Sequence, residues 1–342
     1  MLNIFIGSLS TKKNNNGGER QKSTLMYQEL AKIDNNLVCI NLEKNHFISV
    51  LRMAAICIFK SKRINSIVIS KFAKGGILLH RILHFFRVDG RKITYFLVGS
   101  RLYEFLNEKN LKYVKNDKRI VVESPTIRNE LLNKFPFLKI DVLSNFKKIY
   151  PLFLKEKTYP KKQLNAVFFS RLLIDKGIID LIDALKKINK DSIKIILDIY
   201  GPESEDKNEQ QVIYKAIKDN KLFCSYKGNL NMPCEQSYLT LSDYDFHIFP
   251  TRFPEGIPGT LIDCLNCGLP TLSSSFPRYK DILDETDSFI FQQFNNKDLI
   301  SKLEYIYKNQ SELKEKSINS YKKARNFSSD IFVDYIKQNR II

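Results

Sequence analysis

The stretch FHIFPTRFPEGIPGTLIDCLNCGLPTLS, residues 246–273, decides how this chain folds. Its first four residues, Phe246 to Phe249, form an apolar run suited to a buried strand. Pro258 fits the first turn of a helix, where its missing N–H is not needed. Gly268 stands where a helix stops, and Pro270 to Ser273 reads as the next strand. The loop between strand and helix delivers free backbone N–H groups and the positive end of the helix dipole, which suits an anion such as a diphosphate. Glu255 in the loop and Asp263 on the helix flank that seat. Carboxylates repel phosphate, so hydroxyls are their expected partners. A phosphate seat between hydroxyl readers describes a nucleotide-sugar site.

The same alternation extends outward in both directions. Upstream within the second half, strands are expected at Asn165 to Phe169, Lys194 to Tyr200 and Phe223 to Tyr226. Helices are expected at Gly177 to Lys187, Glu209 to Asp219 and Cys234 to Leu241, and Gly259 to Cys267 is the helix of the opening stretch. Leu299 to Asn309 and Ser311 to Asn326 are charged helices. The first half offers strands at Leu2 to Ile6, Leu37 to Leu42, Ile64 to Ile69, Ile93 to Val98, Arg119 to Val122 and Ile140 to Leu143. Between them, helices are expected at Glu19 to Ile33, near 47–61, and at Ile77 to Phe86, Leu102 to Asn107 and Thr126 to Lys134; Ser8 to Gly18 is a polar loop. Apolar strands alternating with helices imply α/β architecture with parallel sheets covered on both faces. The Lys- and Pro-rich stretch Pro151 to Lys162 has no period and reads as a linker. The expected organisation is therefore a domain over 1–153, a second over 160–322, and a C-terminal helical segment, 323–342, packing back on the first. Two such halves are expected to face each other across a ligand-binding cleft.

Composition sets the outer bounds. The chain has 342 residues, 43% hydrophobic and 27% charged, which is ordinary for a globular protein. The first ten residues lack a basic leader region and a cleavage site, so no signal peptide is expected. Ile48 to Phe59 is too short to span a bilayer and contains Arg52. Of six cysteines, Cys264 and Cys267 read as buried thiols, since no second pair completes a zinc site, and a reducing, cytoplasmic setting follows. Net charge is +18 and uneven: 27 Lys and Arg stand against 11 Asp and Glu over residues 1–154, but 28 against 26 over 155–342. That excess is either a solvated face or an attraction to something anionic, such as an acidic membrane. No nucleic-acid motif accompanies it. Asp243-Tyr244-Asp245 has the D-x-D spacing of some metal-dependent sugar transferases, but it leads into the strand before the anion loop. His80 and His84 lie four apart on a helix, yet Arg81 stands where a zinc protease keeps its glutamate. No metal site is expected from either.

Three segments carry a family resemblance. Val167 to Gly177, with Arg171, Lys176 and Gly177, resembles the G-R-L…K-G segment of group-1 (family 4) retaining glycosyltransferases. Ile199 to Pro202, with Gly201, resembles their next strand and glycine turn. Glu255 to Asp263, followed by Gly268 to Pro270, resembles their E-x₇-E motif and G-x-P tail. The resemblance covers about 165–275. It implies a GT-B fold, two Rossmann-like domains with the donor on the second, and transfer with retention. It implies that Arg171 and Lys176 hold the donor diphosphate, that Glu255 lies near the donor sugar, and that Asp263 takes the ribose. Asp263 departs from the family's glutamate by one methylene. Backbone N–H groups at Gly256, Ile257, Gly259 and Thr260, around Pro258, would complete the donor contacts. The family's glycine pair after the first strand corresponds to Gly17 and Gly18, near donor phosphates and acceptor. Val98 to Ser100 lies where many relatives keep a histidine, and this chain has none.

The expected activity is retaining sugar transfer from a nucleotide-diphosphate donor, a UDP-sugar, without a metal or other cofactor. The expected acceptor is a glycan or polyprenyl-diphosphate-linked saccharide in capsule, O-antigen or lipopolysaccharide synthesis. The enzyme is expected in the cytoplasm, in peripheral contact with the anionic inner membrane face, and not on nucleic acid. The alternatives are a same-fold nucleotide-sugar epimerase and a non-catalytic surface-binding module.

Overall fold

A computed structural model of the chain describes residues 1–10, 17–43, 46–99, 106–151, 154–253 and 255–342. By contact the chain divides into two compact units. The first comprises Met1–Lys147, Glu255–Pro258 and Ser328–Ile342; the second comprises Lys148–Pro254 and Gly259–Phe327.

The first unit runs β1 (Leu2–Gly7), α1 (Gly18–Ile33), β2 (Val38–Asn41), α2 (His46–Lys60), β3 (Ile64–Phe72), α3 (Ala73–Phe85), β4 (Ile93–Val98), α4 (Glu108–Val114), β5 (Arg119–Val122), α5 (Pro125–Lys134) and β6 (Ile140–Val142). Its described strands form one sheet in the order β2-β1-β3-β4-β5-β6, every pair parallel. Strand side chains alternate between faces, so a strand buried on both sides feeds two cores. In β4, Ile93, Tyr95 and Leu97 enter the core under α2, α3, α4 and α5, while Phe96 enters the opposite one with Met26 and Leu30 of α1. That second core is completed by a helix from far along the chain, Ser329–Gln338, whose Phe332 stacks on Phe146 with ring centroids 5.0 Å apart.

The second unit repeats the plan with β7 (Leu164–Phe169), α6 (Ile178–Ile188), β8 (Ile195–Tyr200), α7 (Lys207–Asp219), β9 (Cys224–Tyr226), α8 (Glu235–Ser242), β10 (Phe246–Phe249), α9 (Gly259–Asn266), β11 (Thr271–Ser274), β12 (Ser288–Phe291), α10 (Asn296–Lys308) and α11 (Ser311–Ala324); the helix Ser329–Gln338 is α12. The strand order is β12-β11-β10-β7-β8-β9, again parallel throughout. Connections leave β7 and β10 in opposite directions, so the gap between those neighbours is a topological switch point, the place where open α/β sheets bind ligands.

Several expectations need correction. The helix expected at Leu102 to Asn107 falls mostly outside the described residues, and Leu106 and Asn107 are not helical; α4, which was not expected, follows with Asn107 as its N-cap accepting from the Asn110 N–H at 3.0 Å. An asparagine cap followed by Glu108 is a start signal the apolar count overlooked. Pro258 lies outside α9, which opens at Gly259. The other end behaves as read: Gly268 has φ +64, and the Leu269 N–H reaches the Cys264 carbonyl at 3.0 Å while the Gly268 N–H reaches Leu265 at 2.9 Å. This is a glycine-closed helix end.

Candidate donor site

The loop after β7 is pinned from three sides. The Ser170 N–H donates to the Tyr200 carbonyl at 3.1 Å and the Leu172 N–H to Pro202 at 2.9 Å, tying the loop to the end of β8. Gly201 makes that approach feasible: it has φ +146, and a Cβ there would lie 1.8 Å from the Ser170 carbonyl oxygen. On the α7 side, Glu209 accepts from the Ile174 N–H at 2.7 Å. Toward β10, Gly177 has φ +75, and a Cβ on it would meet the Pro250 oxygen at 2.1 Å. The Arg252 N–H then donates to the Asp175 carbonyl at 2.8 Å, and the Arg252 guanidinium pairs with Asp180 at 3.2 Å. Arg171 and Lys176 thus bracket a backbone excursion held at its neighbours β8 and β10. Arg171 is exposed, and the Lys176 ammonium sits 5.9 Å from the Phe249 ring centre at the end of β10.

The second unit therefore brings Arg171, Lys176, Gly201 and the start of α9 to the carboxyl ends of β7, β8 and β10. Gly259 and Thr260 open α9 and are half-buried. Two cations and the N-terminal end of a helix at a switch point are groups that can seat an anion. Asp263, one turn into α9, is buried, and one of its oxygens accepts from the Tyr238 hydroxyl at 2.8 Å. Burial and the adjacent Asp263 push the Tyr238 hydroxyl well above its ordinary value, so it stays a donor.

Glu255, Gly256, Ile257 and Pro258 belong to the first unit, together with Gly17 and Gly18. Gly17 is half-buried and extended, Gly18 exposed, and among the described residues neither needs glycine for packing. Gly256 does: a Cβ there would lie 2.4 Å from Glu123 Oε2, which also accepts from the Ile257 N–H at 3.4 Å. Glu123 Oε1 in turn receives the Lys22 ammonium at 2.6 Å, both side chains being almost fully buried. Asn145 donates to the Ile257 carbonyl at 2.8 Å. Nearby, at the carboxyl ends of β1 and β3 and the start of α1, Lys71 pairs with Glu19 at 3.1 Å, and Ser23 shares a hydrogen bond with Ser70 at 2.8 Å. Sequence reasoning missed Lys22, Lys71 and Glu123. The available signal was a charged residue terminating an apolar strand, as Glu123 does after β5 and Lys71 at the end of β3.

The other candidate chemistry resolves into structure. Asp243 pairs with Lys155, and Asp245 takes Lys161 at 2.6 Å and the Asn165 N–H at 2.8 Å, at the amino ends of β7 and β10. His80 is buried between the Gly76 carbonyl and Asp117, and His84 stands edge-on to Tyr113. Cys264 and Cys267 are buried and unbridged. Ser100, next to Gly99 at the end of β4, lies outside the described residues, as does Pro254.

Comparison with known proteins places the chain in a family and a fold. Over 176 residues, 51% of this chain, the sequence is 22% identical to the poly(glycerol-phosphate) alpha-glucosyltransferase of Bacillus subtilis (strain 168); the match spans 25% of that relative's length. The fold matches Anabaena HepE, solved in complex with UDP, with a TM-score of 0.76 at 14% identity over 99% of both chains. It matches sucrose-phosphate synthase of Thermosynechococcus elongatus with a TM-score of 0.77 at 13% identity, over 99% of this chain and 98% of that one. These folds are GT-B, as the paired six-stranded parallel sheets require. Residues 152–325, half of the chain, match the family described as glycosyl transferases group 1, and the chain belongs to that family of transferase enzymes.

Proposed function

We propose that the enzyme moves a sugar from a UDP-sugar to a glycan or polyprenyl-diphosphate-linked saccharide, with retention at the anomeric carbon. The reading rests chiefly on one observation: Arg171, Lys176 and the N-terminal end of α9 follow β7 and β10, the neighbours at the switch point. In the reaction the bond between anomeric carbon and diphosphate oxygen breaks, and the acceptor hydroxyl oxygen bonds to that carbon. The acceptor's proton passes to the departing diphosphate. Negative charge grows on the leaving oxygen, and Arg171 and Lys176 stabilise it by about 3–4 kcal/mol for a well-placed donor. They supply the positive charge a metal ion would otherwise bring, so turnover is expected to persist in EDTA. Asp263, oriented by Tyr238, addresses the ribose, and Glu255 addresses the donor sugar. Gly201 and the N–H groups of Gly259 and Thr260 line the phosphates, whereas the Ile257 N–H, expected among them, is taken by Glu123; Gly17 and Gly18 adjoin the acceptor.

The relatives support the donor and the acceptor class by analogy: HepE was solved with UDP and with UDP-glucose, and the curated relative glucosylates a poly(glycerol-phosphate). Cell-surface polysaccharide synthesis at the cytoplasmic face of the membrane, as in capsule or lipopolysaccharide assembly, fits the basic first unit. UDP release across a donor panel tests the reading. Lys176→Ala or Arg171→Ala should lower kcat about 10²–10³-fold. An epimerised donor formed without acceptor would instead mark an isomerase. Donor-independent behaviour with every acceptor extract would leave a binding module.

A further inference from the structure

Helix α2 is apolar on two opposite sides. Ser49, Met53 and Cys57, spaced one turn apart, face the first unit's core and are buried. On the other side Leu51, Ala55, Ile58 and Phe59 lie together, all exposed; Leu51 is 52%, Ile58 59% and Phe59 81% accessible. A surface helix normally carries polar residues on its outer side, and an all-round apolar helix is normally buried. This one contains no acidic residue and ends in the exposed run Lys60, Lys62 and Arg63. Its neighbour α3, packed into the same core, continues the pattern: Lys74, Leu78, Arg81 and Phe85 form an exposed outer stripe in which cations alternate with apolar groups. Beside it is a shallow depression of about 450 Å³ lined by Leu78, Arg81, Ile82, His84, Phe85 and Tyr113. Across residues 44–92 eleven Lys and Arg face Asp89 as the single acid.

We infer that the outer faces of α2 and α3 dock on an anionic lipid bilayer, α2 lying in the plane of the interface with Leu51, Ile58 and Phe59 in the acyl boundary. Apolar side chains ringed by cations match that boundary, where the apolar groups leave water and the cations meet lipid phosphates. A second copy of the chain on this face would bring two clusters of like charge together. No helix of the described residues is long and apolar enough to cross a membrane, so the contact is peripheral. The inference deepens the reading of a membrane-held acceptor and is independent of the donor chemistry.

Co-sedimentation of the full chain with vesicles tests it. Binding is expected to phosphatidylglycerol–phosphatidylcholine vesicles and not to phosphatidylcholine alone, weakening as salt rises. The triple variant Leu51→Ser, Ile58→Ser, Phe59→Ser should lose partition at least about tenfold. Lys74→Gln and Arg81→Gln should each lose about fivefold. All should keep the wild-type melt and its UDP release with a soluble acceptor, since none lies in the core or the donor site. Absence of binding to anionic vesicles, or equal binding to neutral ones, would overturn the inference. So would a wild-type dimer in sedimentation that the triple variant converts to monomer. Loss of UDP release with vesicle binding intact would count against the transferase reading alone.

Discussion

At the scale of single residues, four positions make the fold and site answerable to experiment. Gly177 combines a left-handed backbone with contact against Pro250, so Gly177→Ala should cost at least about 2 kcal/mol and loosen the loop holding Lys176. Chemical denaturation with parallel donor-binding measurements would register both effects. Glu123→Ala leaves Lys22 buried without its partner and should cost about 3–5 kcal/mol, whereas Lys22→Met with Glu123→Leu should recover much of that. His247 is buried in β10, and burial pulls its imidazole from the ordinary 6.5 down to about 3. The folded protein then refuses a proton that the unfolded chain accepts. Its contribution is complete above pH 6.5 and is lost as pH falls toward 3, by about 1.4 kcal/mol per pH unit. His247→Leu should flatten that part of the stability profile in urea melts across pH 4 to 7. His80 behaves oppositely: burial opposes its charge, but Asp117 and the Gly76 carbonyl at its two nitrogens outweigh that and raise its affinity for the proton. Stability from this group is complete below the unfolded value and fades as pH rises through the folded one.

At the scale of elements, boundaries were legible where chain chemistry is local. Ser124 caps α5 by accepting from the Ile127 N–H at 3.2 Å, with Pro125 at the first helical position. Ser124→Ala should cost about 1 kcal/mol by thermal melting. The described strands other than β12 could be read because each is a short apolar run. Helix α4 was not, since its seven residues bury little beyond Val114 and its start is set by a cap. Strand β12, Ser288–Phe291, escaped because a single four-residue run at a sheet edge has no period to betray it. Helix α2 was found, but its outward apolar side was not, because periodicity cannot tell which of two apolar stripes meets the core.

Taken as a whole molecule, the second unit's candidate site was more legible than the polar cluster of the first unit. Arg171, Lys176, Gly201 and the α9 start sit on consecutive motifs of one unit, so their order in sequence mirrors their grouping in space. The polar cluster of Glu19, Lys22, Lys71 and Glu123 draws on three separate segments, α1, β3 and the end of β5, and no spacing along the chain announces it. Helix α12 shows the same non-locality in the core: Phe332 stacks on Phe146 and meets Phe96 edge-on at 5.6 Å. Deleting 329–342 should therefore lower the melting of the first unit while sparing the second, which calorimetry would resolve as a shift of one transition. The order of synthesis follows from this arrangement. A ribosome releases the opening 147 residues long before the piece that closes their hydrophobic interior, so the nascent chain carries an unfinished amino-terminal half throughout translation. Residues 148–327 all leave the ribosome before α12, the helix that completes the first unit's second core.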